Sequence, residues 1–234
     1  MPLIAQGKVL GVMSWISASE GRQFGAADLT FVEDVAQRAA VAIDNAQLHS
    51  QTREAAVRLQ RAVLPESLPE LIGWQFASYY SPSGRTEVGG DFYDVVELDD
   101  GRLVMFIGDV MGRGVEAAAA MAQVRAAVRA YAALDPRPAL VLSRLDGMFE
   151  HYGSEQLVTL LYLLADPRAD TLTVANAGHP PPVLLRTDGS ALQLASADGP
   201  PLGVGAATRT EEQVGFGVGD TVVAFTDGVR FPRN

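Results

Sequence analysis

The sequence predicts an α+β protein in which mostly antiparallel sheets are flanked by helices, with one strand and a long helix in front of them. Three observations predict this class. Short apolar runs separated by Gly, Asp and Pro fill the second half of the chain, two helical patterns stand among them between residues 114 and 152, and a much longer helical pattern precedes residue 65. The links between the strand-like runs are mostly short, which favours antiparallel pairing.

The N-terminal stretch predicts one strand and one helix. "KVLGVMSWIS" (8–17) is the strand, and apolar side chains then recur at helical spacing from Leu29 to Ile43, with Asp28 as the expected N-cap. The helical pattern continues to Pro65. It fits either a connecting helix that pairs with a second copy of the chain or a helix lying on its own domain. The Pro-rich stretch around Pro65 predicts a domain boundary near residue 70.

Beyond this boundary the sequence changes to short strand patterns. "WQFASYYSP" (74–82) predicts a strand, and "DFYDVVEL" and "RLVMFIGDV" flank "DDG" (99–101), which is typical of a hairpin turn. An Ala-rich helix over 114–134 and a second helix around "ALVLSRLDGMFEHY" follow. Further strands are predicted at "QLVTLLYLLAD", "TLTVANAG", "PPVLLRT", "ALQLAS" and "DTVVAFTDG".

Composition excludes several function classes. A formal net charge of −10 argues against binding to nucleic-acid phosphates. The chain has no cysteine and three histidines, so disulfides and thiolate sites are excluded and a His-rich zinc centre is hard to build. No P-loop or Rossmann glycine motif occurs, and no apolar run predicts a membrane span or a signal peptide. We therefore expect no nucleic-acid or membrane partner and a cytoplasmic location.

Three aspartates stand beside glycine at the margins of predicted strands. They are Asp91 in "EVGGDFYD", Asp109 in "IGDVMG" and Asp227 in "VVAFTDG". Each alone is an ordinary turn residue. The ends of strands in one core can meet, however, and clustered carboxylates repel one another unless a cation lies between them. Ligands that are all oxygen select Mg²⁺ or Mn²⁺, and two such ions can activate water and hold a phosphoryl group.

At these residues the sequence resembles a known family. "VGGDFYD", "GDVMGRGVEAA", "NAGHPPP" and "FTDG", in this order, are similar to motifs of the SpoIIE-like, RsbU-like branch of the metal-dependent protein phosphatases (PPM), relatives of the type 2C phosphatases. The resemblance covers about residues 59–230 and implies a phosphatase-type sandwich. Residues 1–50 resemble the C-terminal part of a GAF sensor domain. The expected organisation is then a GAF remnant (1–50), a linker helix with a Pro-rich junction (51–70) and a SpoIIE-like domain (71–234).

The resemblance implies a role for each aspartate. Asp109 bridges two Mn²⁺ or Mg²⁺ ions, the backbone carbonyl of Val110 is a further ligand, Asp91 completes the shell of one ion and Asp227 binds the other. Water activated by the ions attacks the phosphorus of phosphoserine or phosphothreonine without a covalent enzyme intermediate. The implied substrate is a phosphorylated anti-sigma-factor antagonist in bacterial signalling, and the linker helix is a candidate homodimer contact.

Three further side chains have two interpretations each. Arg113 either meets substrate phosphate or is solvated. His179 either shapes the loop beside the site or takes part in catalysis, and Asp94 is either a hydrogen-bonding partner behind the site or a strand-face carboxylate. The glycines expected in the loops of the site are Gly90, Gly112 and Gly228.

The sequence also departs from the family's pattern. It ends at Asn234, whereas family members continue to an Asp-Asp motif that supplies another ligand to the ion held by Asp227, and Arg230 stands near a usual Glu. The chain is therefore expected to be a truncated or partial domain. The alternative to an active phosphatase is a weakly active or inactive binding module. A GGDEF-type cyclase loop is rejected, because Phe92 and Tyr93 replace the acidic residue.

Overall fold

A computed structural model describes residues 1–17, 21, 23–65, 67–80, 90–112, 114–152, 156–205 and 208–228. The chain divides into two compact units, Met1–Glu54 and Ala55–Asn234. Arg113 and Arg230, both singled out from the sequence, lie outside the described residues. Within the described ranges, no helix combines the length and the hydropathy that a bilayer-spanning segment needs.

The first unit contains a β-hairpin and most of a long helix. Strands β1 (Pro2–Ala5) and β2 (Lys8–Val12) pair antiparallel, and Gln6 and Gly7 join them with φ of 48° and 76°. Two residues with positive φ form the kind of tight turn that matches the twist of the flanking strands. The prediction of a single strand over 8–17 is therefore wrong, because the strand is shorter and a partner strand precedes it.

Helix α1 (Ala26–Val63) is continuous, as the sequence predicted, and runs through the division between the two units. Asp28 is not its N-cap. The helix begins earlier, because the alanines before Asp28 are strong helix formers. The Asp28 carboxylate lies in the first turn, where its Oδ2 accepts the backbone N–H of Gly25 at 3.0 Å. In the first unit the core residues that are most buried are Leu3, Ala5, Ala36 and Ala40.

The second unit is built on a five-stranded antiparallel sheet and a three-stranded one. Its strands are β3 (Asp91–Glu97), β4 (Leu103–Val110), β5 (Val158–Asp166), β6 (Thr171–Ala177), β7 (Val183–Leu185), β8 (Ala191–Gln193), β9 (Glu212–Gly215) and β10 (Thr221–Val223). The larger sheet has the order β3-β4-β5-β6-β9 and the smaller one β10-β7-β8. The two sheets pack against each other through a buried apolar cluster to which both contribute.

Helices α2 (Val115–Leu134) and α3 (Pro138–Tyr152) cover the other face of the larger sheet. Alternation along β4 separates the two cores: Val104 and Phe106 pack with the helices, whereas Leu103 and Met105 pack toward the smaller sheet. Successive side chains of a strand point to opposite faces. This three-layer arrangement confirms the predicted α+β class and leaves the ends of β3 and β4 open between the two sheets.

Most predicted elements of the second unit are present, with two corrections. Residues 74–80 contain no strand, because Trp74 stacks on Phe76 and packs against Phe216 instead of joining a ladder. Strand β9 had no prediction, since "EQVG" is short and half polar. The hairpin at "DDG" is confirmed, with Gly101 at φ 83°.

Candidate metal centre and cleft

Asp91 and Asp109 face each other across the β3–β4 hairpin. They are paired in the ladder, and the backbone N–H of Val110 donates to the carbonyl of Gly90 at 3.1 Å in the adjoining pair. Hydrogen-bonded and non-hydrogen-bonded pairs alternate in an antiparallel ladder, so Asp91 and Asp109 form a non-hydrogen-bonded pair with Cα atoms about 4.5 Å apart. The short hairpin turn therefore places two carboxylates in direct opposition.

Both carboxylates point into the space between the sheets. Their neighbours Phe92 and Val110 are fully buried against the helices, so alternation directs Asp91 and Asp109 to the opposite face. Thr159 of β5 pairs with Asp109 on its other side. A polar row thus crosses three adjacent strands at one end of the larger sheet.

Glycines allow the backbone to approach closely here. A Cβ atom on Gly90 would lie 2.1 Å from the carbonyl oxygen of Val110 and 2.7 Å from Oδ1 of Asp109. A Cβ on Gly108 would lie 2.6 Å from the carbonyl oxygen of Thr159. Both distances are too short for any other residue, so these glycines are required by the space around Asp109.

Asp227 reaches the same region from the smaller sheet. It lies in a turn four residues after β10 ends at Val223, not at the margin of a central strand as the sequence suggested. The Thr226 hydroxyl donates to Oδ2 of Asp91 at 3.2 Å, and a Cβ on Gly228 would lie 3.8 Å from that oxygen. The turn with Asp227 is therefore tied directly to β3.

The three charges act on one another. Burial, followed by the charges of Asp91 and Asp227, raises the pKa of Asp109 to about 6. Burial also raises the pKa of Asp91, against the hydrogen bond from Thr226 and together with the charge of Asp227. Among the described residues, no Lys or Arg forms an ion pair with any of the three. This arrangement holds negative charge without compensation, which is the electrostatic condition for binding a cation.

The donor set fits a hard divalent ion, although the carboxylates do not form a closed cage. In the described part of the chain, no three acidic or histidine side chains converge closely enough to surround an ion. The pKa shifts show that the three charges interact. Asp91, Asp109 and Asp227 therefore lie near one another, but not close enough for all three to bind one ion directly. Mg²⁺ accepts such a site, because it keeps several waters and uses one or two carboxylates.

A cleft of about 410 Å³ opens beside Asp109. Its lining residues are Asp109, Thr159, Gly178, His179, Pro180, Asp198, Gly199 and Asp227. Thr159 and Asp198 were missed by sequence reasoning. A lone polar residue within the apolar run of β5 was a usable signal for Thr159, whereas Asp198 in "SADGPP" is indistinguishable from a turn residue.

The loop with His179 is fixed by hydrogen bonds. The Asn176 side chain donates to the His179 carbonyl at 2.7 Å and accepts the His179 N–H at 2.8 Å. Nδ1 of His179 lies 2.9 Å from the Thr159 hydroxyl. Burial lowers the pKa of His179 to about 4, so the ring is neutral at pH 7. This neutrality argues against a role as general acid. The hydrogen bonds with Asn176 agree with the loop-shaping interpretation, which stays a prediction.

Asp94 proves to be a buried strand-face carboxylate. Its side chain points toward α2 and accepts hydrogen bonds from Arg129 at 2.6 and 3.1 Å and from Arg125 at 2.8 Å. This group ties β3 to α2 on the face opposite Asp91. Gly112, at φ 120°, begins the turn before α2; its neighbour Arg113 stays a prediction.

Comparison with known families gives two matches on separate parts of the chain. A family described as Stage II sporulation protein E (SpoIIE) matches residues 99–230, more than half of the chain. A GAF domain family matches residues 1–43.

Curated relatives point the same way. Protein IcfG of Synechocystis sp. (strain ATCC 27184 / PCC 6803 / Kazusa) is 28% identical over 206 residues, which cover 76% of this chain and 32% of that protein. Phosphoserine phosphatase RsbP of Bacillus subtilis (strain 168) is 28% identical over 185 residues, which cover 75% of this chain and 45% of the relative. The chain thus spans less than half the length of either relative.

Solved structures share the fold. The RsbU and RsbW domains of Rv1364c from Mycobacterium tuberculosis match with a TM-score of 0.55 and 32% identity, over 63% of this chain and 41% of that one. The SiaA-PP2C domain of Pseudomonas aeruginosa matches with a TM-score of 0.58 and 19% identity, over 77% and 72% of the two chains. At that identity the second match shows the fold alone.

Proposed function

The chain belongs to the SpoIIE family, and from that premise we propose that its second unit hydrolyses phosphoserine or phosphothreonine on a regulatory protein, with Mn²⁺ or Mg²⁺ as cofactor. The observation that supports this most is the opposed pair of Asp91 and Asp109 with Asp227 beside it. A like-charged pair directly across a ladder is destabilising by itself. Its presence is explained if a divalent ion belongs there.

In this proposal the ions are held by Asp91, Asp109, Asp227 and the backbone carbonyl of Val110. Two divalent ions supply water activation and neutralise phosphoryl charge. The chain's own residues keep the arrangement in place: Gly90 admits the Val110 carbonyl, and Thr226 links the Asp227 turn to Asp91. The cleft beside Asp109 is then where the phosphorylated side chain enters.

The substrate class is proposed from the relatives. RsbP and RsbU of Bacillus subtilis are both named phosphoserine phosphatases, the latter 25% identical over 178 residues. We propose a phosphorylated anti-sigma-factor antagonist as substrate, acted on in the cytoplasm, and we take residues 1–50 as the C-terminal part of a GAF-like sensor domain. The acidic chain suits a protein substrate and not a nucleic acid.

A second candidate is a binding module with little or no turnover. The observation in its favour is that no three acidic or histidine side chains form an ion cage within the described residues. Such a module would bind the phosphorylated partner and leave its phosphate in place. Binding and hydrolysis must therefore be measured on the same preparation.

The test compares two Asp→Asn substitutions beside glycine. We expect Asp109→Asn to lower Mn²⁺-dependent release of phosphate from a phosphoserine peptide by more than the roughly 100-fold that partners of metal ligands cost. The matched control is Asp188→Asn in the turn before Gly189, where the exposed carboxylate accepts hydrogen bonds from the side chain and the backbone N–H of Ser190. Asn suits a turn as well as Asp does, so the control should keep wild-type turnover.

Two outcomes would overturn the proposal. Near-normal turnover of Asp109→Asn would mean that this aspartate is a turn residue. Binding of the phosphopeptide by the wild-type chain without phosphate release at any Mn²⁺ concentration would establish the binding module instead.

A further inference from the structure

The Thr159–His179 contact connects the two sides of the candidate metal centre. Thr159 is the ladder partner of Asp109 on β5, so its position is fixed relative to that carboxylate. Its hydroxyl lies 2.9 Å from Nδ1 of His179. Nothing in the catalytic proposal above uses this contact.

His179 and Asp227 line the same cleft, from the loop after β6 and the turn after β10. Burial lowers the pKa of His179, against the smaller raising effects of the Phe225 backbone and the Asp227 carboxylate, which places both near the ring. Nε2 of His179 is buried and has no hydrogen-bond partner within the described residues.

The loop holds the ring in this orientation and leaves it little freedom. Only 3% of His179 is exposed, and the Asn176 side chain closes on both its N–H and its carbonyl. Gly178 has φ 69°, and a Cβ there would lie 2.7 Å from the Pro201 ring. Asn176 is itself 3% exposed, and its backbone N–H donates to Ala197. The imidazole is therefore held rigidly between β5 and the cleft that Asp227 also lines.

We propose that Thr159 and His179 are positioning residues, which set the separation between Asp109 and Asp227 by connecting the strand beside one to the turn that carries the other. The effect on metal binding rests on the proposed metal-dependent function. The Thr159–His179 contact itself is a property of the fold. Hydrogen-bonded partners behind metal ligands typically change metal affinity by about 10- to 100-fold.

The experiment removes the hydroxyl and restores it. Thr159→Val deletes the hydroxyl that contacts Nδ1 of His179 with little change of shape, and Thr159→Ser returns it. The matched control is Thr173→Val on the neighbouring strand β6, which deletes a buried hydroxyl that accepts from Gln213 at 3.3 Å. Each variant is studied by hydrogen exchange of the peptide covering residues 221–228 and by calorimetric titration with Mn²⁺.

We expect Thr159→Val to exchange roughly 10-fold faster in that peptide and to bind Mn²⁺ roughly 10-fold more weakly. Thr159→Ser should match the wild type in both, and Thr173→Val should change neither. If the Thr159 hydroxyl were merely structural, Thr159→Val and Thr173→Val would show the same hydrogen exchange in residues 221–228 and the same Mn²⁺ affinity.

Two results would overturn the positioning role. One is unchanged exchange of residues 221–228 in Thr159→Val, whatever the activity. The other is faster exchange with unchanged Mn²⁺ affinity, which would separate the link from the metal centre. Failure of the proposed function has a different signature, because a wild-type chain that binds Mn²⁺ without releasing phosphate leaves both readouts measurable.

Discussion

Strand β3 carries two aspartates three residues apart, Asp91 and Asp94, whose side chains lie on opposite faces of the sheet and differ in their charge partners. Asp94 is 2% exposed and accepts three hydrogen bonds from Arg125 and Arg129. Asp91 faces Asp109 with a raised pKa, and no described Lys or Arg pairs with it. Alternation along one strand therefore separates a neutralised structural carboxylate from one that is left charged.

The other acidic residue that is buried among the described residues resembles Asp94 and not Asp91. Asp146 on α3 receives two hydrogen bonds of 2.7 Å from Arg209, a buried pair of the bidentate type. The fold thus pairs its buried acids with arginine where they are structural. The difference teaches that unpaired charge at the end of β3 and β4 is a local feature, with a cost in stability that an ion would remove.

The largest effect on stability is expected from removing the charge of Asp94, the aspartate that is paired with arginine. Asp94→Asn leaves two arginines without a counter-charge, one of them largely buried. We expect a loss of about 3 kcal/mol in the free energy of unfolding of the second unit, at the low end for a broken buried pair because Arg129 is half exposed.

Trp74 makes this loss measurable. The chain has two tryptophans, so a Trp15→Phe background leaves Trp74, packed on Phe76 and Phe216, as the fluorescent reporter of the second unit in urea. Asp100→Asn is the control, since Asp100 also pairs with an arginine but in an exposed turn. A loss below about 1 kcal/mol for Asp94→Asn would show that the Asp94 group is nearly neutral in stability.

The sequence predicts the paired and unpaired aspartates unequally. The opposition of Asp91 and Asp109 follows from local chemistry, because "DDG" sets a short turn and the turn sets the register. The contact of Thr159 with His179 depends on pairing between strands far apart in the chain, which no local pattern specifies. The same limit explains the absence of the predicted strand over 74–80: Trp74 and Phe76 predicted a ladder, but they instead pack against the core between the sheets.

The role of Asp94 illustrates a further limit. Its two arginines lie on α2, more than thirty residues away, on helix faces that sequence spacing alone does not direct toward β3. The sequence therefore left two interpretations open, and packing of α2 decides between them. The site roles of Asp91, Asp109, Asp227 and Val110 stay predictions that rest on the family resemblance.

A smaller effect, on Mn²⁺ affinity, is expected from protonating Asp109, which has no arginine partner among the described residues. With a pKa of about 6, Asp109 is about nine-tenths ionised at pH 7 and about one-tenth at pH 5. Metal binding needs the ionised form. We therefore expect Mn²⁺ affinity, measured by calorimetry, to fall about 10-fold from pH 7 to pH 5, or about 1.4 kcal/mol.

The sign for stability is opposite. The pKa of Asp109 lies above its ordinary 3.8, so the folded state holds this proton more tightly than the unfolded state. The metal-free fold therefore loses stability as pH rises from about 4 to 6. His179, at about 4, does not titrate between pH 5 and 7. Residual binding by Asp109→Asn should lose most of this pH dependence. If the full dependence is retained, the titrating group is not Asp109.

The smallest effect is the one that reverses sign. Asp91→Asn is the same substitution as Asp94→Asn on the same strand, but it removes a charge that opposes Asp109 instead of one that neutralises arginine. Opposed like charges in a ladder cost about 0.2–1 kcal/mol. We expect Asp91→Asn without metal to raise the free energy of unfolding by about 0.5 kcal/mol, since Asn can still accept the Thr226 hydroxyl.

In saturating Mn²⁺ the wild type should instead be the more stable, because bound ligand stabilises only the native state. Urea unfolding with Trp74 as reporter, with and without Mn²⁺, tests both halves. If Asp91→Asn is destabilising without metal, the aspartate pair is already compensated within the fold, and the contrast with Asp94 disappears.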